Sequence, residues 1–215
     1  MARIAFLATF PPEPLMSGFS MRIHGIMDGL PDEHRLLPVY PANDSQVKYP
    51  PRTSFTRGRV TRLEELISPV PRIVMNYRKS PERSVVHGEI AGFEPDLVIA
   101  SGLHVVPLVP PGLPFVYDAH NIEWHLAYRL YRHSSGSLPV RIHRYLTYLK
   151  LKRWEHRLIK NCRGVIACSS TDAREFSSIR NREVPVVYNG VDREYWRMKR
   201  KPVHGELLFC GDMGY

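Results

Sequence analysis

Six short apolar runs recur along the chain, and nearly all are closed by a polar or turn-forming residue: 3–9, 36–40, 95–100, 114–118, 165–168 and 184–188. Their apolar residues are continuous rather than alternating, the pattern of strands covered on both faces in a parallel sheet. Pro11 and Pro12 end the first run, because proline cannot donate to a ladder. Between runs the period changes. Met21, Ile23, Ile26, Met27 and Leu30 recur near helical spacing after Ser17-Gly18 and stop at Pro31, which predicts a helix over 19–30. Further helices are predicted over 141–160 and 171–178. The segment 41–81 carries prolines at 41, 50, 51, 69, 71 and 81 and supports only one short helix, at 61–67. A strand, a glycine-bearing loop, a helix and a strand within the first forty residues make a βαβ unit, whose crossover is right-handed. The expected fold is α/β, a Rossmann-like doubly wound parallel sheet of about six strands.

The last run continues into the turn Asn189-Gly190-Val191-Asp192, a loop rich in Arg and Lys follows, and Gly205-Glu206-Leu207-Leu208-Phe209-Cys210-Gly211 opens a new apolar strand. One strand cannot make a sheet. This predicts a domain over 1–190, a connection over 191–205, and at 206–215 the first strand of a second domain that the chain does not contain.

Composition narrows the class without choosing a partner. A chain of 215 residues with 43% hydrophobic content can form one sizeable α/β core. No run is long enough to span a bilayer, and no charged-then-apolar leader precedes the first strand, so the sequence reads as non-secreted and cytoplasmic. Cys162, Cys168 and Cys210 form no C-x-x-C pair and read as reduced thiols. The net charge of +9 favours phosphate-bearing partners, whether nucleotide, anionic lipid or nucleic acid.

Ligands of open parallel sheets bind beyond the carboxyl ends of the strands, so the residues after each strand are the first candidates. Ser17 and Gly18 open a helix whose free N–H groups and dipole suit a phosphate; equally, Gly18 permits a tight turn and Ser17 caps the helix. After the fourth run comes Asp118-Ala119-His120-Asn121-Ile122-Glu123-Trp124-His125, crowded with polar groups. His120 and His125 are five residues apart and would point about 140° away from one another on a helix, which argues against a shared metal ion. His120, with Asp118 two positions back to fix its tautomer, is the candidate acid or base. From Arg141 to Arg163 many Arg and Lys interleave with apolar residues against the single acid Glu155, an amphipathic helix whose charges are either solvated or, at Lys150, Lys152 and Arg153, presented to an anionic membrane surface.

These motifs, taken in order, resemble the N-terminal half of a retaining glycosyltransferase of family four with the two-domain GT-B architecture. The resemblance rests on the Ser17-Gly18 turn, Phe93-Glu94-Pro95-Asp96-Leu97-Val98, Tyr117-Asp118-Ala119-His120-Asn121, Trp154-Glu155-His156-Arg157-Leu158, the run from Arg163 to Ser169, and Tyr188-Asn189-Gly190-Val191-Asp192. The resemblance implies that this half carries a glycan, lipid-linked or small-molecule acceptor and that the missing half holds most of the nucleotide-sugar donor. Gly18 and Ser17 would then lie in the donor-phosphate loop and His120 near the reacting sugar. Asp118, Asn121 and Glu123 would line the acceptor cleft, with Asn189, Gly190 and Asp192 as the hinge turn. No metal and no cofactor beyond the donor are implied, and the chain alone is expected to be inactive. Two departures stand out: the usual paired glycines are Ser17-Gly18, and Tyr188 replaces the frequent proline before Asn-Gly. A nucleotide-sugar epimerase shares the fold, and a basic nucleic-acid-binding domain would share the charge. The absence of zinc-finger spacing or an RNP-type aromatic motif argues against nucleic acid.

Overall fold

The structure, a computed structural model, describes residues 1–13, 17–41, 48, 50–190 and 205. The expected linker, Asp192 and the strand expected at 206–215 lie outside the described residues, apart from Gly205. Among the described residues five parallel strands form one sheet: β1 (Arg3–Ala8), β2 (Arg35–Val39), β3 (Leu97–Ser101), β4 (Phe115–Ala119) and β5 (Gly164–Ala167), in the order β2-β1-β3-β4-β5. The sixth predicted strand is reduced to a parallel bridge, Ala167 to Val186, with the Ala167 N–H donating to the Pro185 carbonyl and the Val187 N–H to the Ala167 carbonyl. β5 has four residues, and the incoming segment meets only its last.

Helices fill the connections: α1 (Gly18–Asp28), α2 (Arg62–Ile67), α3 (Arg72–Arg78), α4 (Arg83–Phe93), α5 (Glu123–Arg132), α6 (Leu138–Asn161) and α7 (Ser170–Arg180), with a 3-10 turn at Leu103–Leu108. Within the proline-rich stretch, residues 62–67 and 72–78 are helical, where its composition predicts only the first of these helices. Pro71 is the N-cap of α3, and Pro81 immediately precedes Glu82, the N-cap of α4. There the fixed φ and missing N–H of proline are harmless, so these prolines punctuate helices instead of abolishing them.

Side chains alternate across each strand. Ile4, Phe6, Ala8 and Ile99 pack against Ile23 and Met27 of α1. On the opposite face Ala5, Leu7, Val98 and Ala100 meet Tyr77, Val86 and Ile90, while Tyr117, Ala119, Val165 and Ala167 meet Leu151, Leu158, Ile159 and Phe176. Crossover handedness explains this division. The chain steps from β1 outward to β2, then returns across β1 to β3, β4 and β5; reversing direction with right-handed crossovers moves every later helix to the other face. α1 therefore has one face of the sheet to itself among the described elements.

α6 does not follow the expected stripe. Its 24 residues extend about 36 Å at 1.5 Å each, whereas a five-residue strand covers about 17 Å. Burial against the sheet begins only at Leu151, and Leu138, Ile142 and Leu146 are exposed. α5 runs antiparallel to α6, as aromatic contacts show in turn: Trp124 with His156 at 4.7 Å, Tyr128 with Tyr148 at 5.2 Å and Tyr131 with Tyr145 at 5.1 Å. Since α5 starts at the carboxyl end of β4, this hairpin overhangs the carboxyl edge of the sheet. The sheet-packing stripe is confined to the second half of α6 because the helix outruns the strands beneath it.

Candidate functional site

The strand order reverses between β1 and β3, and ligands of such sheets sit outside the carboxyl ends at that point. Ser101, the last residue of β3, lies beside Asp118 of β4 and joins it to His120. Its hydroxyl donates to Asp118 Oδ2 at 2.7 Å, and its oxygen is 2.7 Å from His120 Nε2. The carboxylate itself is 3.4 Å from Nε2. A serine hydroxyl has one proton and two lone pairs, so once its proton goes to the carboxylate, Nε2–H donates to the oxygen. Whenever the ring is uncharged, Nδ1 is left as its acceptor. Burial alone would push the Asp118 carboxyl up, but hydrogen bonding and charge from His120, and then Arg22, outweigh it and hold the group below its ordinary value.

Asp118 is fully buried and lies beneath the site rather than in its wall. Its other oxygen, Oδ1, accepts from Arg22 Nε at 3.0 Å and Nη2 at 2.5 Å. Arg22 is itself buried, and its Nη1 donates to the Val187 carbonyl at 2.6 Å and to Asn189 Oδ1 at 3.0 Å. One guanidinium thus joins α1, the end of β4 and the segment expected as the hinge side. The sequence pattern hides this residue, because a cation within a helix reads as a solvent-facing position. Gly190 lines a cavity of about 310 Å³ with Arg22, Ile26 and Asn189.

Phe19 stacks on the His120 ring at 4.9 Å, Phe10 lies against Phe19 at 5.2 Å, and 7% of the His120 side chain remains exposed. The His120 carbonyl accepts from the Cys168 thiol at 3.0 Å. Ser17 is the N-cap of α1: its hydroxyl accepts from the Ser20 N–H, and the Ser20 hydroxyl accepts from the Ser17 N–H. A Cβ at Gly18 would meet no atom within 4 Å, so local packing does not demand glycine there.

The other face of β4 is anchored as firmly. The Tyr117 hydroxyl donates to Oε1 of Glu155, a fully buried residue of α6, at 3.0 Å, and the Trp124 N–H faces Oε2 at 3.4 Å. Ile122, the N-cap of α5, offers no side-chain acceptor, so a residue of another helix caps α5. Burial pushes the Glu123 carboxyl up to about 7, and burial followed by the charge of Glu123 raises Glu155 well above the usual range. Asn121, between these anchors, is exposed. Of the cations considered for a membrane face, Lys150 donates to the carbonyls of Glu65 and Leu66, Lys152 lies over the Tyr148 ring at 5.9 Å, and Arg153 is exposed. Among the described residues no helix is long and apolar enough to cross a membrane, and no group of three or more His, Cys, Asp or Glu residues could hold a metal ion.

Two solved structures resemble the chain at low identity: a UGT transferase from Siraitia grosvenorii in complex with UDP (9% identity, TM-score 0.48, 88% of this chain and 51% of the other) and Phytolacca americana UGT2 complexed with UDP-2fluoro-glucose and pterostilbene (11%, 0.43, 89% and 53%). The chain spans about half the length of these structures. No curated protein matches it. The sequence profile of Glycosyltransferase Family 4 matches residues 18–195, most of the chain, and the protein belongs to that family.

Proposed function

We propose that the chain is the acceptor-side half of a GT-B glycosyltransferase that moves a sugar from a nucleotide-sugar donor to a hydroxyl with retention of configuration. The observation that carries this reading is the Arg22–Asp118–Ser101–His120 chain of charge-assisted contacts at the switch point of a sheet belonging to a glycosyltransferase family. A buried carboxylate compensated by Arg22 fixes Ser101, Ser101 fixes the imidazole tautomer, and Nδ1 is left to accept a hydrogen bond from a sugar hydroxyl in the cleft. A ring held in one orientation needs little reorganisation as charge develops on the sugar. Protein cations and helix N-termini, rather than a metal, neutralise the leaving diphosphate, and most of them belong to the second half. The acceptor is a glycan, lipid-linked or small-molecule hydroxyl, and the enzyme works in the cytoplasm.

In the full-length enzyme, His120→Ala is expected to lower turnover by about 10²–10⁴-fold, the worth of a positioned acid or base, with KM little changed. Transfer would be followed by release of nucleoside diphosphate and by the anomeric proton signal of the product. Full turnover in a folded His120→Ala enzyme would remove the residue from the chemistry. Appearance of an epimerised sugar without transfer would identify an epimerase instead.

A further inference from the structure

The hairpin of α5 and α6 holds a cavity of about 560 Å³ that the His120 network does not use. Asn121, Leu126, Arg129, Leu130, His133 and Arg144 line it. Asn121 is the residue immediately after His120, so the cavity opens beside the candidate site. Its chemistry is one-sided: two guanidinium groups and an imidazole, with no carboxylate among the described lining residues. Arg144 Nη1 donates to the Leu130 carbonyl at 3.2 Å, which holds its guanidinium at the wall while its remaining N–H groups stay available. The volume is within the range of small-molecule sites, about 300–1,000 Å³. Leu126 and Leu130 supply the apolar wall that such sites combine with a few directed polar groups.

We propose that this cavity binds the phosphate of a phosphate-bearing acceptor, with Arg129 and Arg144 holding the anion and Asn121 directing the adjoining sugar towards His120. The word acceptor rests on the transferase reading; the phosphate site itself does not. Planar guanidinium groups match phosphate oxygens in pairs, and two of them on facing helices suit a tetrahedral anion. The phosphate could belong to a soluble sugar phosphate or to a lipid. Exposed Leu138, Val140 and Ile142 near the hairpin tip would lie against the tail of a lipid.

Calorimetry with this chain tests the site without any donor present. Glucose 1-phosphate is expected to bind, glucose at least about ten-fold more weakly, and added salt to weaken the phosphate form. The Arg129→Gln/Arg144→Gln variant should lose about ten-fold or more, the worth of one charge-assisted hydrogen bond. Arg174→Gln, at an exposed cation on α7, should leave binding unchanged, and unchanged melting midpoints would show that both variants fold. Equal binding of glucose and glucose 1-phosphate, or a double variant that binds like the parent, overturns the proposal. Competition by phosphatidylglycerol vesicles but not phosphatidylcholine vesicles would assign the phosphate to a lipid. Absence of competition would assign it to a soluble acceptor, and either result upholds the site. Since no transfer is measured, failure here leaves the transferase reading standing, and failure of transfer leaves the phosphate site standing.

Discussion

Asp118 and Arg22 are each almost wholly buried, so each is stable only while the other is present. Removing one partner of a buried ion pair costs about 3–5 kcal/mol because a charge is left without compensation. Arg22→Met is expected to lower stability by about that amount in urea unfolding, and Asp118→Asn in the same chain to restore part of it; additive losses would show that the two side chains do not depend on one another. Glu123 supplies a pH test. Its folded value of about 7 exceeds its ordinary 4.5, so between those values the folded chain binds the extra proton. Stability from this group is therefore present below about pH 4.5 and declines as pH rises towards about 7. Glu123→Gln should flatten that decline in unfolding midpoints measured across the interval, and an unchanged slope would rule out Glu123 as its source.

At the scale of elements, Glu155 on α6 stands in for the missing cap of α5. Glu155→Ala is expected to destabilise by about 1–3 kcal/mol, because the Tyr117 hydroxyl and the first turn of α5 lose a buried acceptor. Glu155→Gln, which keeps a carbonyl oxygen, should lose less. A fall in Trp124 protection in hydrogen exchange for the alanine variant would locate the damage at α5. The sequence shows five strands and α1 plainly because continuous apolar runs and a 3.6-residue period are direct records of burial. It does not show α3 and α4, where prolines at helix starts resemble prolines in loops. Nor does it show that Glu155, the lone acid in a basic helix, faces inward, since its partners Tyr117 and Trp124 are more than thirty residues away. In the candidate site, His120 and Asp118 are legible as neighbours in sequence. Ser101 and Arg22 are not, because topology alone brings them to β4.

For the whole molecule, the important feature is the alternation of β4. Tyr117 is held from one side of the sheet by α6 and Asp118 from the other by α1, so the turn bearing His120 is anchored to both layers. Arg22 adds a third attachment, because the guanidinium that binds Asp118 also binds Val187 and Asn189. Any displacement of the 187–189 segment would strip that guanidinium of two acceptors and weaken its hold on the carboxylate. The position of the segment and the alignment of the imidazole then share one free-energy cost. By linkage, a ligand that favours the aligned ring also favours the attached position of the segment, and holding the segment in place raises that ligand's affinity by the same factor.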